Sequence, residues 1–432
     1  MLHKVVYPIE VTLQKKVLGI TLFEAQLLRV YFSSNGGKFI KNLEKRFFLV
    51  IFTNKVLYPE ILRILKFYRI TEYKILQFNY NKESIASRIF SSPLRWSVNS
   101  PSVHLKIMRK HKLKRIIPYM SFKLISRFNI IKRVLRYCLY LTISQESIIK
   151  GFDREPIEVG NLFVTSLTNN YADFKIALYY RRLKTPILGT IRSWDNLTSH
   201  GSIYLVPDVF LSHSKWITHA AKIFQGIPPE KIFEWGNPAY SILSEKHLKL
   251  RQTKNDSDKI RITYASMAGT NRDDANFIKW LCTVWEEMPS NYRLSILSHP
   301  KFAVDPTIVP NGFDFISFDF LSSKLETYYS FLQEQDLVLC GGTSVILDCA
   351  FTHTPIVLIN FEIQKQSHWF SALRYFDNIS HSCAIFSSFD YEYANTKENL
   401  LNLILNHVHK VQPNKGANFF ITPNSLTLPI DS

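Results

Sequence analysis

"DLVLCGGTSVILDCAFTHTPIVLINF", residues 336–361, decides the fold. A short apolar run ends at Cys340. Gly341 and Gly342 follow, then Thr343 and Ser344, then an apolar stretch long enough for a short helix. Pro355 opens a second apolar run. A continuous apolar strand, a glycine turn, a helix and another apolar strand form the repeating unit of a parallel sheet covered on both faces. The glycines permit close backbone approach. A helix start offers free N–H groups and the positive end of a dipole, which suits a phosphate. The Thr343 and Ser344 hydroxyls add donors, and Asp348 lies one turn on. An ordinary capped strand-to-helix turn uses the same residues.

The same alternation extends in both directions. After it comes the Pro/Asn-rich end "VQPNKGANFFITPNSLTLPIDS", expected to be loosely ordered. Before it, "IRITYASM" (260–267), "YRLSILSHP" (292–300) and "FDFISFD" (313–319) read as strands, and "ANFIKWLCTVWEEM" as a helix. Upstream, "SEKHLKLRQTKNDSDK" (244–259) is polar and reads as a linker. Its "DSD" matches a metal-binding triplet of another fold but does not follow a strand, so it reads as solvated charge. Before the linker, "NLFVTSL" (161–167), "PILGTI" (186–191), "DVFLSHS" (208–214) and "KIFEWG" (231–236) alternate with helical stretches. "FFLVIFTN" (47–54) and "YKILQFN" (73–79) extend that series. The expectation is an α/β chain of two Rossmann-like domains, 1–243 and 260–410, joined by the 244–259 linker and followed by a 411–432 tail.

Composition agrees. A chain of 432 residues is too long for one ordinary core, and 46% hydrophobic with 14% aromatic residues excludes disorder. Cys138, Cys282, Cys340, Cys349 and Cys383 show no metal-ligand or paired spacing and read as thiols of a reducing compartment. The first residues lack the apolar core of a signal peptide, and no apolar run reaches the roughly 18 residues that span a bilayer. A cytoplasmic protein is expected.

Charge is uneven. Residues 1–150 hold 28 Lys and Arg against 7 Asp and Glu, whereas the whole chain carries +18. The basic excess therefore belongs to the first third, where it can attract nucleic acid, anionic lipid or phosphorylated ligands. The densest segment, 104–136, interleaves cations with apolar residues, a pattern of helices on membranes. Lys110, Lys112, Lys114 and Arg115 are its expected anionic-lipid contacts, and no nucleic acid is expected as a partner.

Polar residues collect just past strands. His299 follows "RLSILS", where ligands of open α/β sheets sit. Ser266 and Thr270 follow "ITYA" and can meet a phosphate or ribose; they also suit a helix cap. "GTIRSWDNLTSHG" (189–201) places Ser193, Trp194, Asp195 and Asn196 past "PILGTI". Asp195 and Asn196 can serve a substrate or form an Asx-turn, and Trp194 can cover a sugar or anchor the loop. Asp173, in "NNYADFK", is a further carboxylate suited to a helix N-terminus.

The strings "SWDNLTSHG", "PDVFLSHSKWITHAAKIFQGIPPEKIFEWGNPAY", "SHP", "GGTSVILDCAFTHTPIVLINF" and "SHWFSALRYFDNISHSCAIF" together resemble the two-domain GT-B class. They are similar to bacterial surface-polysaccharide glycosyltransferases related to the CDP-glycerol glycerophosphotransferases and the non-hydrolysing nucleotide-sugar epimerases. The resemblance covers about 160–385. It implies a cleft between two Rossmann-like domains, with the donor nucleotide and its phosphates held by His299, Gly341, Gly342, Thr343 and Ser344. Asp348 falls where the class often places a Glu on the donor; the side chain here is one methylene shorter. The first domain would hold the acceptor through Ser193, Trp194, Asn196 and Asp173 and supply Asp195 as base. No metal or other cofactor is implied. The expected activity is transfer of a sugar from a nucleotide-activated donor to a surface-glycan or lipid-linked acceptor, as in capsule or lipopolysaccharide synthesis, at the inner membrane face. Polyol-phosphate transfer, nucleotide-sugar epimerisation and non-catalytic binding are the rival expectations.

Overall fold

The computed structural model describes residues 15–33, 37–79, 83–103, 128–168, 170–241, 259–266, 274–300, 303–318, 325–341, 344–364, 392–407 and 427–430. They form two parallel sheets. The first holds β1 (Lys16–Leu22), β2 (Phe47–Thr53), β3 (Tyr73–Gln77), β4 (Asn161–Val164), β5 (Ile187–Gly189), β6 (Val209–Ser212) and β7 (Ile232–Glu234). Its order is β3-β2-β1-β4-β5-β6-β7. The second holds β8 (Ile260–Ala265), β9 (Tyr292–Ser298), β10 (Asp314–Ser317), β11 (Leu337–Cys340), β12 (Ile356–Ile359) and β13 (Glu392–Ala394), in the order β10-β9-β8-β11-β12-β13. Both orders are the doubly wound arrangement of dinucleotide-binding folds.

The strands are apolar along their whole length because helices cover both faces of each sheet. In β2, Leu49, Val50, Ile51 and Phe52 are all fully buried, and alternate residues belong to different clusters: Val50 and Phe52 to one, Leu49 and Ile51 to the other. The Lys215–Gln225 helix shows how the chain writes its boundaries. The Ser214 hydroxyl accepts from Ile217 N–H at the start, and Gly226 at φ 64° ends it in the left-handed region. Trp216, Ile217, Ala220 and Ala221 face inward between them.

Strands expected in both series occur at the expected places. β1, an interior strand of the first sheet between β2 and β4, is not among the strands expected from the sequence. Gly19 lies within it, where Leu162 and Phe52 pack so closely that a Cβ would come 2.9 Å and 3.0 Å from their side-chain carbons. β13 was also not anticipated.

An apolar cluster runs from Leu197 and Tyr171 of the first domain to Leu325, Ile346 and Cys349 of the second, so the halves share a packed seam. The 244–258 part of the linker lies outside the described residues. So does most of the 411–432 tail, but its 427–430 stretch corrects the expectation of loose order. Leu428 is buried in the first domain's core, and Thr427 C=O accepts from Trp235 Nε1 at 2.6 Å. The tail thus returns to the first domain. Among the described residues, Cys138, Cys282, Cys340 and Cys349 form no disulfide, and no helix is long and apolar enough to cross a membrane.

Candidate functional site

Parallel strands point their carboxyl ends to one edge, and the two sheets bring those edges face to face across a cleft. On the first-domain wall stand Arg29, Arg192 with Ser193 and Trp194 after β5, His213 after β6, and Asn237 and Tyr240 after β7. On the second-domain wall stand Ser266 after β8, His299 after β9, and Ser344 and Asp348 after β11.

The second-domain wall is built around two strand ends. Ser266 Oγ accepts from His299 N–H at 2.8 Å, while Ser266 N–H donates to Leu297 C=O. Ser266 is buried, so it fixes the backbone from which His299 projects. Ser344 begins the Val345–Thr352 helix. It is exposed to the cleft, and its hydroxyl makes no capping bond to that helix. The first N–H groups of the helix and this hydroxyl therefore line the same opening. Gly341 ends the strand beside them; Gly342, Thr343 and Thr270 lie outside the described residues.

Asp348, one turn into that helix, does not stand alone. Tyr240 donates to its Oδ1 at 3.3 Å and Tyr328 to its Oδ2 at 3.0 Å. Burial pushes the carboxyl up to about 6, and the tyrosine hydrogen bonds with the nearby Arg29 guanidinium hold it from rising further. Arg29 in turn lies over the Tyr328 ring at 5.5 Å. Both carboxylate oxygens are thus engaged by protein hydroxyls, in a cluster that joins the two domains.

His213 was not singled out from sequence, although it follows β6 as His299 follows β9. It is buried, with 6% of its surface exposed, at the cleft wall. Its Nε2 lies 2.9 Å from Thr190 Oγ1, and that hydroxyl already donates its one proton to Leu211 C=O at 2.7 Å. Thr190 therefore accepts from Nε2–H, which leaves the lone pair on Nδ1. Burial pulls the imidazole down to about 4, so the ring is neutral near pH 7. In the sequence His213 falls inside "DVFLSHS", expected to be strand throughout; the strand ends at Ser212, and Ser214 caps the next helix.

The "SWDN" loop divides. Ser193 and Trp194 line the cleft, and Trp194 also packs on the shared apolar cluster. Asp195 and Asn196 are not among the cleft-lining residues. Asp195 Oδ2 accepts from Ser199 Oγ at 2.7 Å, its Oδ1 accepts from Asn196 Nδ2 at 3.2 Å, and its carbonyl accepts from Thr198 N–H and Ser199 N–H. Asn196 is buried, with Oδ1 accepting from Ser193 N–H at 3.1 Å and Thr168 Oγ1 at 3.2 Å. This pair turns the chain, and Ser193 and Trp194 are what it presents. Asp173 sits in the first turn of the Tyr171–Arg182 helix with no exposed surface, and burial raises its carboxyl well above the usual range. Arg29 and Arg192 were also missed. Arg192 pairs with Glu24, from the loop after β1, which holds its guanidinium at the cleft.

No family model matches the chain, and no curated protein matches it by sequence. Solved structures do. A UDP-N-acetylglucosamine 2-epimerase superposes with a TM-score of 0.50 at 10% identity, over 94% of this chain and 92% of the other. The Methanocaldococcus jannaschii UDP-GlcNAc 2-epimerase, solved with UDP-GlcNAc and UDP, gives 0.49 at 13% identity over 95% and 97%. The wall teichoic acid polymerase TagF gives 0.46 at 11% identity over 95% and 85%. At such identities the likeness speaks for architecture alone. With the two doubly wound sheets and the cleft between their carboxyl edges, the chain has the GT-B fold.

Proposed function

We propose that the cleft transfers a sugar from a nucleotide-activated donor to a hydroxyl of a glycan or lipid-linked acceptor. One observation carries this reading. The Ser344 helix start and His299 face, across a single cleft, a neutral His213 whose basic lone pair is on Nδ1. The second domain would hold the nucleotide, with the helix N-terminus, Ser344 and His299 on the phosphates and Gly341, Gly342, Thr343 and Thr270 alongside. The first domain would hold the acceptor, with Ser193 and Trp194 at the sugar.

In the reaction the acceptor oxygen attacks the anomeric carbon and gives its proton to His213 Nδ1. The bond from that carbon to the phosphate oxygen breaks, and its electron pair stays on the phosphate. Charge developing there meets the helix N–H groups and His299. His213 takes the role first expected of Asp195, whose carboxylate is occupied by Ser199 and Asn196. In this proposal the protein donors neutralise the leaving group, and no metal is required. Action at the inner membrane face, in making a surface polysaccharide, belongs to the same proposal.

Epimerisation of a nucleotide sugar is the second reading. It draws on Asp348, whose carboxyl is raised to about 6 in the same cleft and would exchange a Tyr240 or Tyr328 bond for the substrate. Incubation with UDP-, CDP- and dTDP-sugars tests both. Release of free nucleotide that requires an added acceptor supports transfer. A changed sugar that stays attached to the nucleotide supports epimerisation. Neither product from any donor would remove both.

A further inference from the structure

The Asn129–Leu141 helix buries Leu139 together with two cations and leaves an apolar stripe outward. Ile130, Val134, Tyr137 and Leu141 recur every three or four residues and form one stripe. That stripe faces solvent, with Ile130 69% and Leu141 68% exposed, and Phe128 continues it at the helix start. The opposite face carries Lys132 and Arg136, which are 2% and 6% exposed. Lys132 Nζ donates to Phe224 C=O at 3.0 Å and Arg136 Nε to Ile203 C=O at 3.0 Å. Tyr140 adds a bond from its hydroxyl to Tyr204 C=O at 2.9 Å. Burying two cations on backbone carbonyls is costly, and burial pulls Lys132 down to about 8. The three carbonyl bonds offset that cost and fix the rotation of the helix, which keeps four apolar side chains outward.

Contiguous apolar surface of this kind marks an interaction face. Charge decides what it meets. From Ser84 to Gln145 the chain has thirteen Lys and Arg and no Asp or Glu. On the helix itself Arg133 is exposed beside the stripe, and Arg88 is exposed on the Ile85–Trp96 helix packed against it. An apolar stripe with exposed Arg133 and Arg88 at its side, in a stretch of sequence free of Asp and Glu, complements a surface that is anionic outside and hydrocarbon within.

We propose that the outward face of the Asn129–Leu141 helix docks on an anionic lipid bilayer, with Ile130, Val134, Tyr137 and Leu141 entering the headgroup layer and Arg133 and Arg88 on the lipid phosphates. This gives the membrane-facing part of the functional reading a surface, and it does not depend on the transfer chemistry. It also places the contact on a folded helix rather than on Lys110, Lys112, Lys114 and Arg115, which lie outside the described residues.

The test is co-sedimentation of the full chain with vesicles of phosphatidylcholine alone or mixed with phosphatidylglycerol. The combined Ile130→Gln, Val134→Gln, Tyr137→Gln and Leu141→Gln variant is run beside it, with thermal melting to confirm that it folds. The expected result is binding that requires phosphatidylglycerol, weakens in high salt, and falls by about tenfold or more in the variant. The single Val134→Gln variant gives a smaller loss should the fourfold one not fold. Binding that ignores lipid charge or is untouched by these substitutions would overturn the proposal. So would a wild-type dimer in solution that the substitutions dissolve, since the stripe would then be an interface between copies. Transfer to a water-soluble acceptor should survive in the variant, so a failed docking result is distinguishable from a failed functional reading.

Discussion

The Tyr240 hydroxyl donates to Asp348 Oδ1 at 3.3 Å, and that bond ties the Pro238–Tyr240 turn of the first domain to the Val345–Thr352 helix of the second. It couples the seam to pH. The folded carboxyl sits at about 6, above its ordinary 3.8, so the folded state holds the proton more tightly. Stability is therefore highest where Asp348 is protonated and falls as pH rises from about 4 to 6, then levels off. Against Asp348→Asn, the wild type should lose about 2–3 kcal/mol across that window. Urea denaturation at a series of pH values measures it; parallel curves for the two proteins would show that Asp348 does not titrate this way.

His213 and Asp195 can be told apart by which parameter moves. His213→Gln should lower kcat by about 100- to 10,000-fold with donor affinity nearly unchanged. The acid limb of wild-type kcat/KM should lie below the ordinary histidine value of 6.5, because burial holds the ring down. Asp195→Ala should instead cost about 1–2 kcal/mol of stability, by leaving Ser199 and Asn196 without their acceptor. Steady-state kinetics beside chemical denaturation separates them. A fully active His213→Gln protein would return the base to another residue.

Gly201 closes the same loop with φ at 92°, and a Cβ there would come 2.3 Å from Arg95 C=O. Gly201→Ala should destabilise by about 2 kcal/mol or more, through both the left-handed backbone and the clash. A melting temperature equal to the wild type's would mean that the loop and the Ile85–Trp96 helix separate easily.

What the sequence made legible was the strand ends. Short apolar runs interrupted by Gly, Ser, His and Pro mark where a parallel sheet stops, and Ser266, His299 and Ser344 were found by that rule. The rule fails where side chains satisfy each other. Asp195 looks free in the sequence, yet its acceptors are taken by residues one and four places on. Asp348 lines the cleft as expected of a donor contact, but its bonds to two tyrosines, 20 and 108 residues away, had no signal in the sequence. Such pairings depend on how the domains meet, which periodicity does not encode. His213 shows the converse: it sits one residue past β6, but the expected strand ran through Ser214 and hid the strand end. The Asn129–Leu141 helix overlaps the segment where cations and apolar residues interleave; only the fold reveals which face is out.

The most direct test of the account is calorimetric titration of nucleoside mono- and diphosphates, including CMP, CDP and UDP, into the wild type, His299→Ala and Ser344→Ala. One or more nucleotides should bind the wild type. Each variant should bind about 10- to 100-fold more weakly, the loss of one charge-assisted phosphate contact, with its melting temperature in the absence of nucleotide unchanged. Equal affinity in all three proteins would contradict a nucleotide site at this edge of the second sheet.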